Sequence, residues 1–226
     1  MIVSSQVDHL VIVADSLAQG EAWCRKVLGV TPGPGGDHPL MGTHNKLLRI
    51  SSPQFPRAYM EIIAVNPGAD DPGRTRWFDM DDADLLGAVQ SEPRLAHFVA
   101  STEDATAALH ALRSLGIDRG TLLQAERPTP RGLLQWQISV RDDGQRLMYG
   151  TLPTLIQWGE VHAADGLPPS QLSLAAMEAT HPRPDDLRAA YVAIGLQQVT
   201  VHAGSPNLCA TLMTPLGAVT LESRGI

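Results

Sequence analysis

The feature that most constrains the fold is an internal repeat of a strand, a helix and a glycine. Near the N-terminus, a strand that carries His9 precedes an amphipathic helix, and Gly29 ends that helix. Residues 94–117 repeat the pattern with His97 and Gly116. The interval from histidine to glycine is 29 − 9 = 20 residues in the first copy and 116 − 97 = 19 in the second. Each copy predicts one supersecondary unit, and such units are expected to stack on one another.

A third and more degraded copy runs from residue 172 to residue 196. Its strand has alanine, Ala175 or Ala176, where the other copies have histidine, and Gly195 ends its helix. Strand-like segments follow the helix in each copy. The sequence therefore predicts an α+β fold of repeated βαβββ modules, of which the third, at the C-terminus, is degenerate.

The spacing of the repeats predicts how the chain divides. The first two modules, residues 5–65 and 93–160, are expected to form one domain over residues 1–161. The third module is expected to occupy residues 162–226. Because a lone module would expose one face of its sheet, the third either packs on the first two or pairs with its mate in a homodimer.

Alternation along the strands places ionisable side chains among apolar ones. In the first strand, Val7 and His9 are expected to share one face, with Asp8 on the other. In the strand that closes the first module, Glu61 interrupts an apolar face, and Gln157 holds the corresponding place in the second module. A buried carboxylate is costly unless it is paired or bound to a metal, so Glu61 is either salt-bridged to an arginine or a ligand.

Composition limits the classes of partner. The chain has 226 residues, 43% of them hydrophobic, and a net charge of −7 without a basic cluster, which argues against nucleic-acid and anionic-membrane partners. No apolar run approaches the roughly 20 residues of a membrane span, and the N-terminus does not resemble a signal peptide. Two cysteines provide no disulfide framework, so the expected compartment is the cytoplasm.

Several motifs resemble the vicinal-oxygen-chelate superfamily of glyoxalases, extradiol dioxygenases and bleomycin-binding proteins. They are the opening D-H-L-V-I-V, the closing Y-M-E-I-I and the second histidine. Within that superfamily, the stretch GG-x-H-P-x-x-G-T-x-N is similar to the glyoxalase-like domain family. The resemblance covers residues 7–160 and extends more weakly to the third module. It implies that two modules form a cupped mixed sheet.

The resemblance also implies a divalent metal ion, Fe, Mn, Ni or Zn, inside the cup. Carried over position by position, its ligands are His9, Glu61, His97 and Gln157. Imidazole and carboxylate groups suit these ions, and open coordination positions would polarise two neighbouring oxygens of a substrate. Gln157 departs from the pattern, because the fourth ligand is more often glutamate and an amide cannot act as a strong base.

The glycine-rich stretch between residues 35 and 45 is a second candidate site. It is expected to form a loop over the cup mouth, in which His38, Thr43, His44 and Asn45 contact a polar substrate. The expected opposite wall of the substrate site consists of Arg131 and Trp136. The candidate catalytic groups are Glu61 and His38.

Three functions follow from these patterns and stay open at this point. The first is a metal-dependent enzyme that binds a small oxygenated metabolite and acts as a lyase, an isomerase or a dioxygenase. The second is a metal-free protein that sequesters a small molecule in the same cup. The third is a site built on the glycine-rich stretch, with His38 or His44 as the acid or base.

Overall fold

The structure is a computed structural model that describes residues 3–129 and 132–225. Two sheets and four α-helices make up this part of the chain. The strands are β1 (Ser5–Val13), β2 (Gly33–His38), β3 (Thr43–Arg49), β4 (Tyr59–Val65), β5 (Arg94–Thr102), β6 (Thr121–Thr129), β7 (Gly132–Val140), β8 (Thr154–Trp158), β9 (Ser173–His181), β10 (Thr200–Ala203), β11 (Asn207–Thr214) and β12 (Gly217–Glu222). The helices are α1 (Leu17–Leu28), α2 (Ala83–Ser91), α3 (Ala105–Ser114) and α4 (Pro184–Ala193). No helix in the described ranges is long and apolar enough to cross a membrane.

The first two modules join into one curled sheet of eight strands. Its order is β2-β3-β4-β1-β5-β8-β7-β6, with β1 and β5 antiparallel at the centre. In each module the closing strand returns beside the opening strand and runs parallel to it, β4 along β1 and β8 along β5. The predicted α+β fold with a cupped mixed sheet is confirmed.

The curled sheet has two different apolar faces. On the convex side, Leu10, Ile12 and Phe98 belong to the main core, which the helices and the second sheet cover. On the concave side, Val11 and Ile63 belong to a smaller cluster that surrounds the cup. Neighbouring residues of the central strands therefore alternate between the two clusters.

Helix ends follow the local sequence. Ser16 caps α1, with its side chain accepting a hydrogen bond from Gln19 N at 3.2 Å, and Gly29 ends the helix in the left-handed conformation at a φ of 73°. Asp104, at the corresponding end of α3, accepts from Ala107 N at 2.9 Å. These caps fix where each helix leaves and rejoins the sheet.

The glycine-rich stretch forms a hairpin, so the expectation of a loop is wrong. Strand β2 pairs antiparallel with β3, from Gly33 opposite Leu47 to His38 opposite Thr43. Glycine and proline weaken a strand on their own, but the backbone hydrogen bonds to β3 outweigh that preference. The polar side chains of the hairpin are therefore held on a rigid sheet.

The third module repeats the order of elements with a different strand order. Strands β9 to β12 and α4 follow the βαβββ sequence, but the sheet runs β10-β9-β11-β12, so the closing strand lies at an edge. This sheet packs on the convex side of the first, where Leu174 and Leu212 share a core with Leu10. Tyr191 of α4 donates its hydroxyl to Thr151 O at 2.5 Å. The third module therefore covers the first two within one chain; a homodimer remains a prediction.

Candidate active site

The candidate site begins where β1 and β4 lie side by side. Their parallel register pairs Val11 with Glu61 and His9 with Tyr59, and this places the side chains of His9 and Glu61 in the cup. Both side chains are buried, and His9 Nε2 lies 3.7 Å from Glu61 Oε2. That separation is slightly longer than a hydrogen bond. The imidazole of His9 stacks on the Tyr59 ring with centroids 4.5 Å apart.

A β-bulge in β1 brings Asp8 to the same side of the sheet. The register against β5 shifts between Val7 and His9. Val7 consequently packs in the convex core, and Asp8 contacts side chains of the cup. The predictions that Val7 shares a face with His9 and that Asp8 lies opposite are wrong, because the extra residue of a bulge breaks the two-residue alternation.

Asp8 is the centre of a buried hydrogen-bond network. Its Oδ1 lies 2.7 Å from His9 Nδ1, and its Oδ2 accepts from His162 Nε2 at 2.8 Å and from Trp158 Nε1 at 2.9 Å. Only about 1% of Asp8 is exposed, so these donors replace the water that the carboxylate loses. Trp158 ends β8 of the second module and His162 follows four residues later, both more than 140 residues away in sequence.

The network keeps Asp8 ionised and orients His9. Burial raises the pKa of the Asp8 carboxyl, but the hydrogen bonds from His162 and His9 outweigh it and hold that pKa well below its usual range. A carboxylate at Nδ1 requires a proton on that nitrogen. His9 therefore presents Nε2 to the cup beside Glu61, as in the carboxylate–histidine pairs that orient catalytic imidazoles.

The GG-x-H-P-x-x-G-T-x-N motif holds the other oxygen of Glu61. Gly36 N donates to Asn45 Oδ1 at 2.8 Å, which turns the Asn45 amide nitrogen toward Glu61 Oε1, 2.6 Å away. The same nitrogen lies 3.2 Å from His38 Nε2, and His38 Nδ1 lies 3.1 Å from Thr43 Oγ1. Backbone, amide and imidazole thus form one chain of hydrogen bonds that ends on the Glu61 carboxylate.

Close packing explains why residue 35 is a glycine, and burial favours the uncharged form of His38. A Cβ on Gly35 would lie 2.1 Å from Asn45 Oδ1 and 2.2 Å from Asn45 O, so a side chain there would displace Asn45. Burial lowers the pKa of His38, although the nearby Glu61 carboxylate opposes that shift. His38 Nε2 therefore acts as an acceptor for Asn45. Its hydrogen bond to Asn45 favours a positioning role for His38, and its predicted catalytic role stays a prediction.

His97, the counterpart of His9, is closed off by its own hydrogen bonds. Its Nδ1 donates to Gly150 O at 2.9 Å, and its Nε2 accepts from Thr154 N at 3.1 Å. The Arg119 guanidinium lies 3.3 Å from the same Nε2 and also donates to the Thr154 hydroxyl. The nitrogen that a metal ion would need is thus already used by a backbone amide and a guanidinium.

The surroundings of His97 favour its neutral form. Burial and then the adjacent Arg119 hold the pKa of His97 well below 6.5. Burial also lowers the pKa of Arg119, to about 10, so this guanidinium still carries its charge at neutral pH. A neutral histidine beside a guanidinium cation is suited to stabilising the fold and not to binding a metal ion.

In the second module, Thr154 occupies the position that Glu61 occupies in the first. In the first module Glu61 pairs with Val11, two residues after His9; in the second, Thr154 pairs with Val99, two residues after His97. Thr154 is therefore the structural counterpart of Glu61. Spacing along the chain could not show this, because the loops before the two closing strands differ in length.

Gln157, the predicted fourth ligand, lies toward the helices. Its Oε1 accepts a hydrogen bond from Ala105 N at the start of α3, at 3.0 Å, on the convex side. In the described part of the chain no three His, Cys, Asp or Glu residues are grouped to hold a metal ion. Catalytic metal sites usually take three protein ligands, and of the predicted four only His9 and Glu61 offer donors in the cup. The residues present therefore do not fit the predicted metal site.

The buried state of His97 predicts how stability depends on pH. The unfolded chain binds a proton at His97 near pH 6.5, whereas the folded chain resists it. Each pH unit below about 6.5 should therefore lower the free energy of unfolding by up to about 1.4 kcal/mol. Urea unfolding between pH 7.5 and 5 measures this slope. His110→Gln, a control at an exposed histidine of α3, should keep it, and a flat profile would contradict the buried neutral state.

A small cavity of about 40 Å³ lies beside Glu61 and His9. A larger outer cavity of about 390 Å³ adjoins it, and both spaces are lined by Leu47, Arg127, Leu134 and Ala163. Polar groups of the hairpin form one side of the inner cavity, and aromatic and aliphatic side chains form most of the rest. The aromatic residues are Tyr59, Trp77, Phe78, Trp136 and Trp158.

The remaining predicted residues fall in different places. Trp136 lines the inner cavity, and its contact with a substrate stays a prediction. Thr43 is buried and reaches the site only through His38. His44 alternates with Thr43 and Asn45 to the other face of β3 and is not among the residues that line this cavity, so its substrate contact stays a prediction. Arg131 lies outside the described residues.

Sequence reasoning missed several residues of the site. Asp8, His162, Trp158 and Arg127 were not among the candidates. The D-H pair that opens the first strand was a usable signal for Asp8, since a histidine beside a carboxylate is a common orienting pair. His162 and Trp158 had no such signal, because only the closed sheet brings them to Asp8.

Comparisons with known proteins agree with this architecture. The sequence model of the glyoxalase-like domain family matches residues 7–195. A hypothetical protein from Staphylococcus aureus has a similar structure, with a TM-score of 0.60 and 17% identity over 88% of this chain and 86% of that one. At this identity the likeness shows the fold alone.

More distant structural matches include two epimerases. A methylmalonyl-CoA epimerase from Streptomyces coelicolor matches with a TM-score of 0.44 and 15% identity over 71% of this chain and 99% of that one. The enzyme from Mycobacterium tuberculosis matches with a TM-score of 0.37 and 15% identity over 70% and 88%. No curated protein matches the sequence significantly. Because the family model spans most of the sequence and the fold agrees, the chain belongs to the glyoxalase-like domain family.

Proposed function

We propose that this protein is an enzyme that transfers a proton at a carbon next to a carbonyl group of a small oxygenated metabolite. The observation that supports this most is the buried pair of Glu61 and His9 at the end of the Asp8 network. A carboxylate and an oriented imidazole, 3.7 Å apart beside a cavity, are suited to act as base and acid on one small molecule.

Each group has a distinct role in the proposed reaction. Glu61 Oε2 takes the proton from carbon, and the electrons of the broken C–H bond form a C=C bond and an enolate oxygen. For this role His9 must carry a proton on Nε2 as well as on Nδ1; it then donates a hydrogen bond from Nε2–H to that oxygen, and Asp8 balances the charge. When the proton held by Glu61 is first replaced by one from solvent, its return to the same carbon gives hydrogen exchange, and its delivery to the neighbouring carbon gives isomerisation.

The hairpin sets the geometry of the base. Asn45 binds Glu61 Oε1 and leaves Oε2 toward His9 and the substrate. His38 and Gly36 hold Asn45 in turn. The aromatic walls keep water away from the enolate, which strengthens these electrostatic interactions. No step of the proposed reaction passes through a metal ion, because the predicted ligand set is not assembled.

A protein that only sequesters a small molecule remains the alternative function. The same cup and aromatic rings would serve it. A binding protein, however, has no need of a buried carboxylate, imidazole and second carboxylate in series, and such a series costs stability. The enzyme is therefore the function that the arrangement supports better.

Deuterium exchange in heavy water tests the proposal without knowledge of the product. Small carbonyl compounds would be incubated with the protein in D₂O, and ¹H NMR would follow loss of the signal from the carbon-bound hydrogen. The panel would contain 2-oxo acids, 3-oxo acids, hydroxyketones and simple ketones. We expect protein-dependent exchange for at least one class. Absence of exchange across the panel, together with measurable binding of its members, would favour the sequestering protein.

A further inference from the structure

The cavity holds a positive charge that the proposed proton transfer leaves unassigned. Arg127 lies on β6, and its side chain lines both the inner and the outer cavity. Burial lowers the pKa of His38, and the charge of Arg127 adds to that effect, which shows that the guanidinium acts on the interior of the cup. Arg127 therefore lies where a molecule would pass from the outer cavity to Glu61.

This guanidinium lacks the carboxylate partner that most arginines in the described ranges have. Most arginines in the described ranges form an ion pair with a carboxylate. The side chain of Arg127 takes part in no ion pair or hydrogen bond with the described residues, whereas its backbone belongs to the ladder between β6 and β7. The neighbouring Glu126 accepts a hydrogen bond from Gln135 Nε2 at 3.0 Å. A half-buried cation without an anion is a site for an anionic ligand.

The hairpin of β2 and β3 packs closely against the guanidinium of Arg127. A Cβ on Gly36 would lie 1.7 Å from Arg127 Nη1, so the guanidinium rests against the glycine backbone. Gly36 also orients Asn45 through its backbone N–H. One glycine thus links the arginine to the Glu61 carboxylate. Trp77 lines the same inner cavity, and its buried indole N–H has no acceptor among the described residues.

On the basis of the proposed function, we infer that the substrate is a small oxo acid whose carboxylate binds Arg127. The planar guanidinium can bind a carboxylate through two parallel hydrogen bonds. A single cation beside a cavity of about 40 Å³ suits a carboxylate better than a phosphate, which needs more donors. Since the chain carries a net charge of −7, this local cation would favour the entry of an anion into the cup.

Binding of oxalate, a planar analogue of an oxo-acid enolate, tests the inference separately from catalysis. Isothermal titration calorimetry would compare the wild type with Arg127→Gln, Arg127→Lys and Arg188→Gln. Arg188 is a partly exposed arginine of α4 paired with Asp185, so its replacement is a charge-matched control remote from the cup. We expect Arg127→Gln to weaken binding by roughly 10- to 100-fold, Arg127→Lys to restore part of it, and the control to leave it unchanged.

A second readout separates this inference from the proposed function. Deuterium exchange would be measured for pyruvate and for its uncharged methyl ester, with melting temperature as the check on folding. Loss of the preference for pyruvate in Arg127→Gln supports the inference. If exchange required Glu61 but was equally fast for both compounds with and without Arg127, the inference about Arg127 would be overturned, whereas the proposed proton transfer would still hold. Failure of the wild type to bind oxalate at millimolar concentration, or equal binding by Arg127→Gln, would also overturn it.

Discussion

Replacement of Glu61 by glutamine is expected to slow deuterium exchange by about 10³-fold or more, because it removes the general base. The amide has nearly the same shape as the carboxylate and can still accept the hydrogen bond from Asn45. The fold should therefore survive, with a free energy of unfolding within about 1 kcal/mol of the wild type. Initial exchange rates by NMR and urea unfolding measure the two quantities.

The matched control is Glu178→Gln, the same change of group on β9. Glu178 is half-exposed and lies 3.5 Å from His202, remote from the cup. This variant should exchange at the wild-type rate. If Glu61→Gln retained most of the exchange while properly folded, Glu61 would not be the base, and the proposed chemistry would fail.

Replacement of Asp8 by asparagine is expected to lower both stability and activity. Asparagine would turn an amide N–H toward His9, His162 or Trp158, each of which already donates to Asp8. We expect a loss of roughly 3 kcal/mol in the free energy of unfolding, as for other broken buried charge networks. Exchange should fall by about 10²- to 10⁴-fold, because His9 would lose its orienting partner.

The pH dependence of this loss gives a second check. The pKa of Asp8 is depressed in the folded chain, so its contribution is complete above the unfolded value of 3.8 and is lost as the pH falls below it. The difference between wild type and Asp8→Asn should therefore shrink below about pH 3.8. Asp15→Asn, an exposed control beyond the end of β1, should be neutral. A difference that is small at pH 7 would contradict the buried network.

The fold was predictable because its evidence is local and repeated. Hydrophobic alternation, the capping serine and Gly29 each act over a few residues, and the second module repeats them around His97 and Gly116. A repeated unit with one apolar face has few ways to bury it. The cupped sheet and the packing of the third module follow from that requirement.

Of the predicted metal ligands, only His9 and Glu61, both in the first module, have the positions in the cup that the sequence predicted. His9 and Glu61 alternate regularly with apolar residues, so strand parity places them correctly. Strand parity fails at Asp8, where a bulge shifts the register. It also fails in β8, because Gln157 was expected to face the cup and instead binds Ala105 N on the convex side of the sheet. Thr154 carries no metal-ligand signature and could be assigned only through strand pairing.

Contacts between distant segments account for the other omissions. His162 and Arg127 reach the first module only after the sheet has curled, and neither residue was singled out as a site residue from the sequence. The glycine-rich motif could be recognised in the sequence, but the structural role of its glycines could not be predicted. Its first glycine makes room for Asn45 and its second for Arg127, and both facts depend on three-dimensional packing.

The most direct test of the central claim is the rate of deuterium exchange before and after removal of metal ions. Wild-type protein would be dialysed against a chelator, checked for metal content by elemental analysis, and assayed with and without added Fe, Mn, Ni or Zn. Catalysis by Glu61 and the His9–Asp8 pair predicts the same rate in all samples. Exchange that disappears with the metal and returns when one ion is added would contradict this account and restore the metal-dependent enzyme.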